Sequence, residues 1–313
     1  MRKNIINEGS KQSVRIKDFS QACSLELARG NALEYITFSS MMINRPGLLF
    51  TGFDDYFGAG RIQLIGNAEH YYLASLDEEG RLAAMRRLLS KHVPCVIYSR
   101  GIAPESAMLD EAEKYNIPMF LAPDTTTSLS VKLNRYLTEL LAPTQSVHGT
   151  LLEISGIGVL ITGYSGLGKS ETALELIHRG HRLVADDSTL IKRINDEVVG
   201  YPPEKIKYFM EVRGIGIIDV RRMYGVGAVM NAKNVNLVIE LKQWKESQNE
   251  IDRLGNNGMT EDLLGVHVPK LVLPVMPGRN LAIVVEAAAR NYRLQSMGYD
   301  ALRDMTSGRG LDK

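Results

Sequence analysis

The sequence predicts an α/β protein of two domains: an N-terminal α/β domain with a mainly parallel sheet, and a C-terminal domain built around a glycine-rich loop between a strand and a helix. Three observations carry this expectation. Through residues 1–142 short apolar runs alternate with helix-period segments, the order that produces parallel strands with crossover helices. At Ala142 and Pro143 that pattern stops, because the residue before a proline is pushed out of the α region. Beyond the break the chain becomes rich in glycine and carries one strand–loop–helix unit with its own chemistry. A length of 313 residues agrees with two domains at about 150 residues each. The domains are therefore expected at 1–142 and 143–313.

In the first half, Ser13 to Ile16, Leu48 to Phe50 and Ile62 to Ile65 read as short strands near glycine punctuation. Asp77 to Lys91 opens acidic and closes basic, the order that suits a helix dipole, and Leu82, Met85, Leu88 and Leu89 form one apolar stripe. Val93 to Ser99 then reads as a buried strand, Pro104 to Tyr115 as a helix and Met119 to Ala122 as a strand. Ser128 to Leu141 closes the domain with helical periodicity. No catalytic motif stands out here. Asp54 and Asp55 read as a turn, and Thr125 to Thr127 as a helix cap.

In the second half, Thr150 to Ile154 and Val159 to Thr162 are apolar strands flanking Gly156, Ile157 and Gly158, which reads as a hairpin. The strand that feeds the glycine loop therefore gains an antiparallel neighbour. Glu171 to Arg179 is a helix closed by Gly180, Leu183 to Ala185 a short buried strand, and Asn280 to Leu294 a long helix with three alanines at its centre.

Composition narrows the function classes. Lys and Arg number 37 against 36 Asp and Glu, so net charge gives no bulk attraction to nucleic acid or an anionic membrane. Any anion must be caught at a local site. Cys23 and Cys95 are too few for a disulfide framework or a cysteine metal site. Met1 to Glu8 has no apolar stretch behind its basic residues, and tracts such as Leu281 to Val285 are cut by charge well before the ~18 residues a membrane span needs. A cytoplasmic protein with neither a nucleic-acid nor a membrane partner is expected.

Gly163, Tyr164, Ser165, Gly166, Leu167, Gly168, Lys169 and Ser170 match the P-loop pattern between a predicted strand and a predicted helix. Small residues let backbone N–H groups approach phosphate oxygens, Lys169 would reach the β- and γ-phosphates, and the Ser170 hydroxyl would ligate Mg²⁺. Asp186 and Asp187 follow one helix later, where the second acidic motif of such an enzyme belongs. Adjacent strand-end residues face opposite ways, so one can address the phosphates while the other is structural or holds a water. The doubling suggests that one of them moves a proton. A plain turn capping the next strand is the structural alternative. His148, before the hairpin, reads alone as a satisfied polar residue. Glu211 to Ile218 sets a carboxylate and a guanidinium against glycine-relaxed backbone, and Pro274 to Arg279 is a stiff turn that would aim Arg279 at an anion.

Together these residues resemble bacterial HPr kinase/phosphorylase along nearly the whole chain. The likeness rests on Ser146 to Gly149, the P-loop running on to Leu176, Gly180 to Asp187, and Met210 to Asp219, the last being close to diagnostic. Asn44 to Gly47 and Arg61 to Gly66 resemble the same family. The resemblance implies a bifunctional enzyme with a catalytic domain similar to phosphoenolpyruvate carboxykinase. It would phosphorylate a regulatory serine of HPr, a phosphocarrier of the sugar phosphotransferase system, from ATP or pyrophosphate with Mg²⁺. It would also remove that phosphate by attack of inorganic phosphate, releasing pyrophosphate. A homohexamer and control of carbon catabolite repression are implied as well.

Carried over by the resemblance, Asp187 is the general base, and the general acid in reverse; His148 orients it. Lys169 neutralises phosphate charge, Ser170 and Glu211 hold Mg²⁺, and Arg253 is the catalytic arginine. Glu211, Val212, Arg213, Gly214, Ile215 and Gly216 form the signature segment. Pro274, Val275, Met276, Pro277, Gly278 and Arg279 match the loop tied to the phosphorylase direction. Two positions depart from the family: Tyr164 replaces an aspartate at a place that contributes mainly backbone, and Met276 replaces a basic residue, removing one phosphate contact. A small-molecule kinase of the phosphoenolpyruvate carboxykinase type and a non-catalytic nucleotide sensor are the competing readings.

Overall fold

Side chains on successive strand residues leave opposite faces, and in both halves of this chain each face meets its own core. The computed structural model describes residues 5–7, 11–30, 33–244 and 258–307. Its Cα packing separates one unit, Gly9–Ala142, from a second that joins Met1–Glu8 to Pro143–Lys313.

The chain opens with β1 (Ile5–Asn7) and then enters the first unit: β2 (Gln12–Arg15), α1 (Ile16–Cys23), β3 (Glu26–Arg29), β4 (Tyr35–Phe38), β5 (Ile43–Asn44) and α2 (Gly47–Phe50). There follow β6 (Ile62–Ile65), α3 (Asn67–Ala74), α4 (Glu78–Leu89), β7 (Val96–Tyr98), α5 (Ser106–Lys114), β8 (Met119–Leu121) and α6 (Thr126–Leu141). Strands β5, β6, β7 and β8 are parallel neighbours in that order, with β3 antiparallel at the β8 edge. Val96 and Tyr98 enter the core with α4 and α5, whereas Ile97 and Phe120 enter the core with α1 and α6. The sheet is thus covered on both sides, as crossover helices require.

Leu48 to Phe50, expected as a strand, is instead the helical turn α2. The Phe50 N–H donates to the Pro46 carbonyl at 3.1 Å, and adjacent Leu49 and Phe50 are both buried, which an alternating strand would not give. Thr125 is the expected cap, its hydroxyl accepting from the Ser128 N–H at 3.3 Å. Cys23 and Cys95 are free and buried.

The second unit continues with β9 (Thr144–His148), β10 (Thr150–Ile154), β11 (Ile157–Gly163), α7 (Lys169–His178), β12 (Arg182–Ala185), β13 (Ser188–Ile194) and β14 (Glu197–Tyr201). After these come β15 (Phe209–Val212), β16 (Gly216–Asp219), α8 (Val220–Tyr224), β17 (Lys233–Asn234), β18 (Leu237–Gln243), β19 (Thr260–Leu263), β20 (Val266–Val275) and α9 (Leu281–Ser296). One sheet runs β12-β10-β11-β18-β20-β19 and a second runs β1-β9-β13-β14-β17. The N-terminal strand thus departs from the expected 1–142 domain, since β1 pairs antiparallel with β9. The β10–β11 hairpin is antiparallel as expected, and β11, β18 and β20 are parallel.

Val159 and Ile161 of β11 pack with α7 and α9, while Leu160 joins Leu151, Ile191 and Val238 in a core shared with the second sheet. Among the described residues no helix is long and apolar enough to cross a membrane.

Candidate active site

Strand β11 delivers the chain into the P-loop, and three glycines make the loop possible. Gly163, Gly166 and Gly168 have φ of 135°, 90° and 85°, values an L side chain rarely adopts. At Gly163 a Cβ would also sit 2.5 Å from the Leu241 carbonyl oxygen on β18. Leu167 is buried in the core beside α7 and anchors the loop. The Tyr164 side chain is exposed, and the residue contributes its carbonyl instead. That carbonyl and the Gly163 carbonyl accept from Lys169 Nζ at 3.1 and 2.9 Å. The ammonium is thereby held at the mouth of the loop. Burial pushes Lys169 below the ordinary lysine range, with Asp187 and Asp186 pulling the other way.

Loop, dyad and signature hairpin meet in a cleft of about 110 Å³ lined by His148, Gly166, Lys169, Ser170, Asp186, Asp187, Glu211 and Arg213. The two aspartates have different environments. Asp186 is buried and accepts from the Thr150 hydroxyl at 2.7 Å and from the Ser170 hydroxyl at 3.1 and 3.2 Å. A backbone N–H of Glu211 also serves it. Burial raises its pKa above the usual carboxylate range, opposed by these hydrogen bonds.

Asp187 is open, its side chain 73% exposed, with one carboxylate oxygen 3.2 Å from His148 Nδ1. Its backbone is strained: φ is 60°, and the Ser188 N–H bonds across it to the Asp186 carbonyl at 2.7 Å. The Gly149 N–H donates to the Asp187 carbonyl at 3.1 Å, and β9–β13 pairing sets Ser188 opposite His148. Strand pairing therefore fixes both partners of the dyad.

Oxygen donors from one hydroxyl and one or two carboxylates, beside a phosphate cradle, suit Mg²⁺, which keeps several waters and leans on substrate phosphates. Ser170, Asp186 and Glu211 supply that set. Among the described residues no three His, Cys, Asp or Glu converge into a ready-made metal cage.

Other expected residues fall elsewhere. Arg253 lies outside the described residues. Pro274, Val275, Met276, Pro277, Gly278 and Arg279 do not line the cleft. Pro274 and Val275 end β20 and the rest follow it; β20 runs parallel to β18 and through it to β11, so this turn leaves the sheet at the same end as the P-loop. Ligands of parallel sheets bind at that carboxyl end. The Arg279 N–H donates to the Met276 carbonyl at 3.2 Å, closing the turn. Val212 is buried in the core, and Arg213 approaches the loop, its guanidinium 3.4 Å from where a Gly166 Cβ would stand. Thr150 was missed by sequence reading; its signal is a hydroxyl opening a fully buried strand.

Two family models match the chain: the HPr Serine kinase N terminus over residues 14–137 and the HPr Serine kinase C-terminal domain over residues 139–308. The chain belongs to the HPr kinase/phosphorylase family. It is 46% identical over 294 residues to the HPr kinase/phosphorylase of Peptoclostridium acidaminophilum, covering 93% of this chain and 95% of that protein. With the HPr kinase/phosphorylase of Lactobacillus gasseri it shares 45% over 298 residues, 94% of this chain and 92% of the relative. A solved HPr(Ser) kinase/phosphatase from Coxiella burnetii is 41% identical, covers 51% of this chain and 98% of its own, and superposes with a TM-score of 0.48.

Proposed function

We propose that this protein transfers a phosphoryl group from ATP to a serine of HPr and removes it again by phosphorolysis. The observation that carries the reading is the division of labour between adjacent carboxylates. Asp186 is buried against Ser170, while Asp187 is open to an incoming hydroxyl and paired with His148.

Catalysis of phosphoryl transfer is mostly positioning and charge neutralisation. The glycine loop and Lys169 hold the phosphates, Arg213 adds positive charge beside Gly166, and Ser170, Asp186 and Glu211 hold Mg²⁺. Bound there, Mg²⁺ neutralises phosphate charge and orients the transferring group. Asp187 accepts the serine proton as the oxygen attacks, and returns it to the leaving serine in the phosphorolytic direction. His148 Nδ1 keeps that carboxylate aimed. Pyrophosphate is a further donor under this reading. Arg253 is assigned the catalytic arginine, and Pro274 to Arg279 the phosphorylase loop, both from the family resemblance. Catalysis belongs to 143–313, in a cytoplasmic homohexamer that regulates sugar uptake.

The test is incubation of the full chain with Mg²⁺, γ-labelled ATP and purified HPr, followed by phosphorolysis of the product. Label on an HPr serine, and pyrophosphate released when inorganic phosphate is added, is the expected result. ATP binding without transfer to HPr overturns the reading.

A further inference from the structure

The hairpin that brings Glu211 to the cleft carries an apolar face beside it. Met210, Val212 and Ile218 turn into the core, so Phe209, Glu211 and Ile217 project from the opposite side of the same two strands. Ile217 pairs directly across from Glu211, a spacing at which side chains touch. Ile217 is 76% exposed, Phe209 44% and Ile215 at the turn 70%. Single exposed apolar residues are ordinary, but several grouped on the rim of a functional cleft mark an interaction surface.

We infer that this hairpin face docks the acceptor protein, taking an apolar patch that surrounds its serine. The inference rests on the protein-kinase reading above, with HPr as acceptor. A cleft of about 110 Å³ admits phosphate groups and one side chain but no folded protein. A serine reaching Asp187 must therefore come on a protein lying across the rim, and Glu211 makes this hairpin part of the rim. Glu211 and Arg213 carry charge at the cleft, and Asp219, across from Phe209 on the same face, is paired with Arg222, so charge borders the apolar residues at both ends. Apolar residues ringed by charge match the apolar core and polar rim of a protein interface.

The experiment is steady-state kinetics of the full chain with HPr varied at saturating Mg²⁺ and ATP, for Ile217→Thr, Phe209→Ser and the conservative Ile217→Val. Circular dichroism and sedimentation velocity accompany each variant. The polar variants should raise KM for HPr about tenfold while kcat stays within about twofold. Affinity for ATP and the sedimentation coefficient should not change, and Ile217→Val should keep the wild-type KM. Unchanged KM for HPr in both folded polar variants overturns the inference. So does an altered sedimentation coefficient, which assigns the face to a second copy of this chain. Failure of the wild-type chain to phosphorylate HPr at all is a separate result, and it overturns the function reading together with this one.

Discussion

The Ser170 hydroxyl donates to both oxygens of the Asp186 carboxylate, at 3.2 and 3.1 Å, while Thr150 holds the same carboxylate from β10 at 2.7 Å. Thr150 is completely buried, so its hydroxyl serves that one acceptor and fixes where Asp186 points. Thr150→Val keeps the shape and removes the donor. A hydrogen bond to a charged group is worth about 1.5–3 kcal/mol, so the Mg²⁺ concentration for half-maximal nucleotide binding should rise at least about tenfold. Turnover at saturating Mg²⁺ should stay near wild type, and Thr150→Ser should restore the Mg²⁺ dependence. Fluorescent-nucleotide titrations at stepped Mg²⁺ read this directly. An unchanged dependence removes Thr150 from the positioning of the site.

Asp187 separates chemistry from backbone strain. Its φ of 60° is tolerated by asparagine and poorly by alanine. Asp187→Asn should therefore keep the melting temperature and lose only the proton acceptor. Both the kinase and phosphorylase directions should fall by about 10²–10⁴, with ATP affinity retained. Asp187→Ala should lose the same activity and also melt lower. Kinase turnover retained in Asp187→Asn would exclude the general-base role.

The contrast between the two aspartates shows what local sequence reveals and what it leaves hidden. The tight loop of Gly163 to Ser170 was legible because it is local: positive φ at fixed offsets needs glycine, as at Gly163, Gly166 and Gly168. That Asp186 and Asp187 face apart was expected from strand alternation, whereas the structure separates them by a tight turn between β12 and β13, with Asp187 at φ 60°. The meeting of His148 with Asp187 did not follow from spacing, because it depends on β9–β13 pairing across an intervening hairpin and helix. Taken alone, His148 read as an ordinary polar residue. Thr150 was hidden for the same reason, its partner Asp186 lying in the turn between β12 and β13. Leu48 to Phe50 misled because three consecutive apolar residues fit a buried strand and a helical turn equally, and the deciding bond to Pro46 leaves no mark in hydropathy. The pairing of β1 with β9 joins positions too far apart for periodicity to connect.

Gly158 tests how closely the hairpin is packed against its neighbour. A Cβ there would stand 1.8 Å from the Asn234 carbonyl oxygen. The Gly158 N–H donates to Asn236 Oδ1 at 2.9 Å, and its carbonyl accepts from the Asn236 N–H at 2.9 Å. Gly158→Ala has to push β11 away from that segment, at a cost of about 1–3 kcal/mol or more. Because β11 feeds the P-loop, ATP affinity should fall with stability. Gly227→Ala, where a Cβ meets nothing within 4 Å, is the control and should change neither. Urea denaturation of both variants checks this, and equal midpoints would refute the close packing.

Glu111 gives the first unit an acid-sensitive tie. From α5 it accepts from Arg86 of α4 at 2.9 Å and from Lys114 at 2.6 Å, and these hydrogen bonds lower its pKa from 4.5 to about 2. A carboxylate whose pKa is depressed by folding contributes stability that is complete above its unfolded value and disappears as pH falls through its folded value. Glu111→Gln should therefore lower the melting temperature at neutral pH. The gap from wild type should narrow from about pH 4.5 downward and close near pH 2. Scanning calorimetry of both proteins across that range measures the gap directly. A gap that does not depend on pH would mean that packing, not charge, is what Glu111 contributes between α4 and α5.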